Sequence, residues 1–299
     1  MLLLLGAVVA SVPFLIGRGA RATRGVAITA DSTVPALTAC APVPSGLVSW
    51  WAGDGNANDI AGTNNGALHN GATFATGMVG QGFSFDGVDD FFQSPTNDLP
   101  EGNGDRTLEL WAKIDAFVAG EAFFAGYGSF GSGTQTYHLG TEEWHNMVFF
   151  STWMQSIAGP VLQPAVWYHV AVTNTGNTAI LYLNGTQVAS GDLGMDTPAG
   201  TPFYIGQIPG DDFRRLQGQV DEVSIYNRAL SADEIQAIAD AGSAGKCKGP
   251  AVGGVGELPD LAESATSSAR DYIALAALAA VGVVALTGGA WYARRRWLG

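Results

Sequence analysis

Apolar and polar positions alternate over short distances through most of the chain. Between Gly46 and Tyr226, runs of aromatic and β-branched residues are separated by turns rich in Gly, Asn and Asp. This spacing is typical of an all-β sandwich or barrel, and the apolar spacing of a helix is nearly absent there. The pattern therefore predicts one domain built from short strands.

The clearest local signal is a hairpin centred on Asn184-Gly185. Residues 178–183 and 186–190 are strand-like runs, and the Asn-Gly pair between them suits a type I′ turn. Asn184-Gly185-Thr186 is also a glycosylation sequon, but the turn explains these residues better. We predict further strands over 167–173 and 219–226.

One short helix is predicted after the last strand. Ser231 and Glu234 have the spacing of a capping box, and Gly242 supplies an end. An apolar stripe lies around them, made of Leu230, Ile235 and Ile238. This helix would close the domain just before Cys247.

Both ends of the chain have the composition of targeting and membrane segments. Residues 1–30 begin with a secretory-type apolar run, although the arginines follow this run instead of preceding it. The run over 272–292 has 21 positions without a charge, close to the roughly 20 that a spanning helix needs, and three arginines follow it. A buried core helix is the alternative, but it would need a partner domain. We predict a signal peptide over 1–30, a flexible linker over 248–271, a transmembrane helix over 272–292 and a cytoplasmic basic tail over 293–299. The protein is then a single-pass cell-membrane protein with its domain outside the cell.

The chain is acidic, with 27 Asp and Glu residues against 14 Lys and Arg residues and a formal net charge of −13. Nucleic-acid binding depends on Lys and Arg to neutralise phosphates, so the composition argues against a nucleic-acid partner. An acidic surface instead favours solubility and divalent cations.

The chain has two cysteines, Cys40 and Cys247, and they bracket the predicted domain. A pair in an exported chain is most simply a disulfide, and two lone cysteines cannot make a zinc site by themselves. We therefore predict a Cys40–Cys247 disulfide closing a domain over 40–247.

Five stretches resemble a known family. In order they are GLVSWWAGDGNANDIAGTNNG, GQGFSFDGVDDFF, TLELWAKI, WYHVAVTNTGNTAILYLNGTQVASG and GQVDEVSIYNRALSADEIQAI. Together they resemble the laminin-G-like (concanavalin A-like lectin/glucanase) domain of bacterial surface proteins. The resemblance implies an all-β, antiparallel two-sheet jelly-roll sandwich, which hosts lectins, adhesion modules, structural appendages and glycosidases alike.

The resemblance also implies a structural Ca²⁺ near the point where the first and last strands meet. The first loop offers Asp54 and Asp59, the last strand offers Asp221, and Gly87 could add a carbonyl oxygen. A hard cation prefers these oxygen ligands. A solvated turn carboxylate or a local backbone cap is the alternative for each acid. Trp50 and Trp51, just before the loop, should point to opposite faces of a strand, one of them into the core.

The residues do not indicate a catalytic site. A retaining glycosidase needs two facing carboxylates about 5 to 5.5 Å apart, and the adjacent acids of this chain would face opposite ways on a strand. Glu109 stands alone and fits the solvent side of a sheet. His169 is best explained as a structural histidine with a hydrogen bond.

A ligand surface is predicted from a stretch that mixes aromatic and polar side chains. The candidates are Tyr137, Trp144, His145 and Trp153. Packing inside the sandwich is the alternative for these aromatic residues. We expect a non-catalytic, surface-anchored binding or adhesion module for carbohydrate or another extracellular ligand such as a protein, with a glycoside hydrolase and a structural spacer as alternatives.

Overall fold

Two antiparallel sheets account for the alternating pattern of the sequence. The computed structural model describes residues 39–249, except 143, 144, 210 and 212. In chain order its strands are β1 (Leu47–Trp51), β2 (Ala67–His69), β3 (Thr73–Thr76), β4 (Gln81–Asp86), β5 (Phe91–Ser94), β6 (Arg106–Ala116), β7 (Ala122–Gly128), β8 (Thr136–Thr141), β9 (Met147–Ser151), β10 (Ser156–Val161), β11 (Trp167–Thr175), β12 (Thr178–Leu183), β13 (Thr186–Asp192), β14 (Phe203–Ile205) and β15 (Gln217–Tyr226).

The strands divide into two layers. The back sheet has the order β13-β12-β11-β6-β15-β4-β3, with β1 also paired to β15. The front sheet has the order β10-β9-β8-β7-β14-β5-β2. The predicted all-β, two-sheet antiparallel sandwich is confirmed.

The hydrophobic core lies between the two sheets. Trp51 on the back sheet stacks on Phe203 of the front sheet with ring centroids 4.7 Å apart, and its ring edge meets Phe92 at 5.7 Å. Successive strand residues face opposite ways, so Trp50 points to the outer side of the back sheet. Its indole donates a hydrogen bond to Glu222 at 2.9 Å.

The local signals for the hairpin and the helix are confirmed. Asn184 and Gly185 have φ values of 49° and 80°, as a type I′ turn requires. The helix α1 (Ala232–Ala241) begins with a complete capping box between Ser231 and Glu234. A short 3₁₀ helix (Gly242–Ala244) follows it.

Helix α1 covers the outer side of the back sheet. Its buried residues Ile235 and Ile238 pack in a second apolar cluster with Tyr182 and Tyr226 of the sheet. The side chain of Tyr226 lies on this face, and burial holds its pKa far above the usual range, with the negative charge of Glu109 acting in the same direction. The back sheet therefore buries side chains on both of its faces.

The two ends of the described domain are tied together. The disulfide between Cys40 and Cys247 is present, with Cα atoms 4.9 Å apart, and confirms the prediction. The backbone beside it is paired as well, because Ala41 donates to the Gly245 carbonyl and accepts from the Cys247 amide at 2.8 Å each. We call residues 245–248 the closing segment, and these contacts fix it on the outer side of the back sheet, where Ala41 packs in the second apolar cluster.

Several predicted segments lie outside the described residues. These are the signal peptide (1–30), the transmembrane helix (272–292), the basic tail (293–299) and almost all of the linker (248–271). Within the part of the chain that the structure describes, no helix has the length and apolar character needed to cross a membrane.

Candidate functional site

A row of aromatic rings crosses the outer side of the front sheet. Phe92, Tyr137, Phe150 and Phe203 point into the core, so the residue next to each of them points outward. Ring contacts of 4.5–6.4 Å connect the row, which consists of His69, Phe91, Tyr204, Phe130, His138 and Phe149. The outer side of the front sheet is therefore lined by aromatic rings, of which His138 and Phe149 are buried and the others are partly exposed.

His138 acts as one of these rings rather than as an acid or a base. It is almost fully buried, and neither ring nitrogen has a hydrogen-bond partner among the described residues. Burial, together with the positive charge of Arg214, lowers the pKa of His138 to about 3. A glycine makes room for it, since a Cβ on Gly126 would come within 2.3 Å of the His138 Cβ. The imidazole is therefore neutral at physiological pH and packs between Phe123, Phe130 and Phe149.

A cleft of about 680 Å³ opens beside Phe130 of this row. Three aromatic residues line it, Phe130, Trp153 and Phe213. The polar lining comes from Asp211 and Arg215. Apolar rings with a few polar groups are the usual composition of a small-molecule site.

Trp153 is held in a fixed orientation at the edge of the cleft. Its φ of 87° is unusual for a bulky residue, and such strain is retained only where the surroundings impose it. The Arg214 guanidinium lies 4.3 Å from the ring centroid, a cation–π distance. Arg214 is itself fixed by Asp211 at 2.8 Å and Glu121 at 2.7 Å.

The predicted ligand residues have different positions in the structure. Trp153 lines the cleft, as a ligand contact would require. Tyr137 needs a correction, because it is fully buried in the core against Phe150 and offers no surface to a ligand. His145 is exposed and pairs with Glu142 at 3.3 Å, and Trp144 lies outside the described residues. Period-two alternation shows which residues share a face of the sheet, but it does not show which face is inside. The sequence therefore placed Tyr137 on the wrong face.

The four predicted calcium ligands do not form one site. Asp59 is a backbone cap, since its carboxylate accepts hydrogen bonds from the amides of Trp50, Ala61, Gly62 and Asn64 at 2.9–3.1 Å. Gly87 follows the last residue of β4, whereas Asp221 lies against Gly82 near the start of that strand. The structure thus corrects two predictions, because Asp59 caps the backbone and Gly87 lies at the opposite end of β4 from Asp221.

Asp54 and Asp221 do come near each other where β1 and β15 meet. Asp221 is fully buried and accepts from the Val79 amide at 2.8 Å through one oxygen, while its other oxygen has no partner among the described residues. Burial, with the negative charges of Glu222 and Asp54, raises the pKa of Asp221 to about 8. Asp54 is occupied by another group, because the Lys248 ammonium pairs with its carboxylate.

A second acidic group lies beside Gly87. The carboxylates of Asp86, Asp89 and Asp90 offer oxygens within 4.8 Å of one another. Asp86 accepts from the Val88 amide at 2.8 Å and Asp90 accepts from the Asp86 amide at 3.0 Å. These bonds close the turn between β4 and β5, so the group is explained as turn structure.

A buried ion cluster lies under the closing segment, on the outer side of the back sheet. We call it the terminal cluster, and it consists of Trp50, Glu109, His169, Glu222 and Lys246. The Lys246 ammonium lies 2.7 Å from Glu109, and the His169 ring lies 3.2 Å from the other Glu109 oxygen. Lys246 also lies 4.8 Å above the Trp50 ring.

We expected Glu109 on the solvent side of a sheet. The structure corrects this expectation, because Glu109 is fully buried. Burial opposes its ionisation, but the charge of Lys246 and the contact with His169 hold its pKa below the usual range. Its partners lie far away in sequence, so no local pattern could have shown them. His169 is a structural histidine with a hydrogen bond, as predicted.

The comparisons with known proteins concern the fold. The chain matches the laminin-G family described as the concanavalin A-like lectin/glucanases superfamily over residues 86–236. No curated protein sequence matches it.

Three solved structures show the range of similar proteins. Domain 4 of AbnA, an extracellular arabinanase of Geobacillus stearothermophilus in complex with arabinotriose, is 19% identical with a TM-score of 0.53, covering 64% of this chain and 96% of that domain. Trypanosoma rangeli sialidase is 21% identical with a TM-score of 0.54, covering 68% of this chain and 35% of the sialidase. The binding domain of Paraclostridial Mosquitocidal Protein 1 is 15% identical with a TM-score of 0.51, covering 65% of this chain and 52% of that one. At these identities the likeness is one of fold, and the chain spans about a third of the sialidase.

Proposed function

Because the chain belongs to the concanavalin A-like lectin/glucanases superfamily, we propose that it is a non-catalytic binding module for carbohydrate. The ligand would lie in the cleft on the outer side of the front sheet. The predicted export signal and membrane span would place this cleft outside the cell, and that part of the proposal rests on the sequence alone.

The observation that carries the proposal is the lining of the cleft. A sugar ring has an apolar face of C–H groups and an edge of hydroxyls. Phe130, Trp153 and Phe213 offer aromatic surface to the former, while Asp211 and Arg215 offer an acceptor and donors to the latter. The volume of about 680 Å³ suits a short oligosaccharide rather than a large folded partner.

The fixed orientation of Trp153 supports the same proposal. A side chain that is already ordered loses little conformational entropy when a ligand binds. The Arg214 guanidinium keeps the indole in place, and the ion pairs with Asp211 and Glu121 keep Arg214 in place. The unfavourable φ of Trp153 supports a functional role, because strained backbone of this kind clusters at binding and active sites.

The lining also favours binding over hydrolysis. Glycosidases use two carboxyl groups, about 5 to 9.5 Å apart, across the scissile bond. Among the described residues that line the cleft, Asp211 alone has a carboxylate, and that carboxylate is paired with Arg214. A glycoside hydrolase remains the alternative, since some proteins of this fold are enzymes.

A glycan array with the full-length chain tests the proposal. We expect selective binding of particular glycans. We expect Trp153→Ala to weaken this binding by roughly tenfold or more, because truncating a tryptophan that anchors a ligand typically costs about 2 kcal/mol or more. Trp167→Ala is the matched control, because Trp167 is a partly exposed tryptophan on the back sheet. No bound glycan, or equal loss in both variants, would reject the proposal, and release of a shortened glycan would favour the hydrolase.

A further inference from the structure

The ammonium of Lys248 lies where the resemblance predicts a metal ion. It is 3.1 Å from an oxygen of Glu222 and pairs with the carboxylate of Asp54. The Trp50 ring centroid lies 5.8 Å away. This is the meeting point of the first loop and the last strand.

The surroundings of this ammonium require a positive charge. Glu222 is 1% exposed, and apart from Lys248 its Oε1 atom has no hydrogen-bond partner among the described residues. Its other oxygen accepts from the Trp50 indole. A buried carboxylate without a compensating cation is costly. Lys246 lies 3.6 Å from the other Glu222 oxygen, so Lys248 is the cation that faces Oε1.

The backbone holds the carboxylates close to this point. A Cβ on Gly80 would lie 2.5 Å from an Asp54 oxygen, so the loop before β4 packs directly against the acid. The Gln81 amide donates to the same Asp54 oxygen at 3.1 Å. Asp54 therefore keeps its position without help from a metal.

The position of Lys248 is fixed by covalent structure. It follows Cys247, whose disulfide to Cys40 anchors the closing segment. The preceding Lys246 is buried in the terminal cluster. Lys248 directly follows these two anchored residues, so its ammonium stays near the carboxylates and competes with a solvent cation at a high effective concentration.

We propose that Lys248 takes the place of the divalent cation at this junction, so that the domain is closed by its own ammonium and binds Ca²⁺ there only when this lysine is removed. A divalent ion and the ammonium cannot both contact Asp54 and Glu222, since like charges a few ångströms apart repel and share the same oxygens. This junction lies on the back of the domain, away from the cleft around Trp153, and its closure does not depend on carbohydrate binding.

Terbium luminescence on the full-length chain tests the proposal, with Tb³⁺ as the probe for a Ca²⁺ site. A Tb³⁺ ion at the Lys248 position would lie close to Trp50, which could sensitise its emission. We expect Lys248→Met to give saturable emission that Ca²⁺ displaces, with Kd of order 10⁻⁴–10⁻³ M, and wild type to bind roughly tenfold more weakly or not at all.

Lys113→Met is the matched control, because Lys113 also pairs with one acid, Asp115 at 3.3 Å, and lies 5.6 Å over a tryptophan, Trp167. It should behave as wild type. Asp54→Asn in the Lys248→Met background should abolish the emission. If Lys248→Met does not fold, Lys248→Gln replaces it, because glutamine also removes the charge and keeps a polar side chain. Wild type alone is still informative, since tight Tb³⁺ or Ca²⁺ binding to it would contradict the proposal.

Three results would overturn the proposal. Wild type could bind Tb³⁺ or Ca²⁺ as tightly as Lys248→Met, which would mean that the metal displaces the lysine. Lys248→Met and Lys248→Gln could both fold and show no binding. The melting temperature of wild type could rise with Ca²⁺ and fall with EDTA.

Discussion

The two outer faces of the sandwich differ although both are built from alternating strands. The back face is covered by α1 and by the closing segment, and it buries an ion cluster around Glu109 and Lys246. The front face carries a row of aromatic rings and a cleft around Trp153. The difference arises from where the chain goes after β15, since the helix and the disulfide-linked ends all pack on the back. One face therefore stabilises the domain, and the other is available to a ligand.

The largest expected effect comes from removing the cation of the terminal cluster. Lys246→Met leaves Glu109 buried beside Glu222 without its ammonium, and breaking a buried pair in this way costs about 3–5 kcal/mol. Urea denaturation measures the free energy of unfolding. Lys113→Met removes a partly exposed ammonium and should change it by less than about 0.5 kcal/mol. An equal loss of unfolding free energy in the two variants would mean that the buried ion pairs of Lys246 contribute no more than an exposed pair.

The disulfide should contribute slightly less. Cys40 and Cys247 are 207 positions apart, so opening this loop with a Cys40→Ser, Cys247→Ser double variant should cost about 2–5 kcal/mol. The same urea titration checks it, and treatment of wild type with a reductant is the control. A loss below about 1 kcal/mol would show that the backbone pairing of Ala41 with the closing segment is sufficient by itself.

The pH dependence of stability isolates Asp221 on the back face. Its pKa in the folded protein is about 8, above the ordinary value of 3.8, so between these pH values the folded state holds a proton that the unfolded chain releases. The stabilisation from this group is complete below about pH 4 and is lost as the pH rises through about 8, with a slope of at most about 1.4 kcal/mol per pH unit.

Asp221→Asn removes the carboxyl and should flatten that part of the profile. The measurement is the difference in free energy of unfolding between wild type and variant at several pH values. The variant should gain stability relative to wild type as the pH rises from 5 to 8. Parallel profiles would show that Asp221 is already ionised in the folded protein.

The smallest effect concerns the front face. Arg214→Gln removes the cation that lies over Trp153, and we expect glycan binding to weaken roughly fivefold because cation–π contacts contribute about 0.5–1 kcal/mol at exposed sites. Isothermal titration with the best glycan from the array measures this. Tyr137→Phe, a change inside the core, should leave the affinity unchanged. An equal loss in both variants would contradict a cleft that is separate from the core.

Signals that are local in sequence predicted much of the fold. The Asn184-Gly185 turn, the Ser231 capping box and the strand pattern each depend on a few neighbouring residues, and the structure confirms all three. The disulfide followed from the presence of a single pair of cysteines.

The candidate site was less predictable because its parts come together from distant segments. The loop that contributes Asp211 and Phe213 has no regular pattern, so it gave no signal, while Trp153 was found from its aromatic neighbourhood. Glu109 could be placed in the interior only with knowledge of Lys246, which lies 137 positions away. Asp59 matched a metal ligand and a backbone cap equally well until the surrounding amides were located.

We propose that the front face binds carbohydrate and that the back face does not. Two-dimensional NMR of the tryptophan indole N–H groups in the full-length chain compares the faces directly, because Trp153 lies at the cleft and Trp50 lies in the terminal cluster. The signals can be assigned with Trp153→Phe and Trp50→Phe. On titration with a glycan from the array, we predict that the Trp153 signal shifts to saturation while the Trp50 signal stays in place. A shift of Trp50 with Trp153 unchanged would contradict the account.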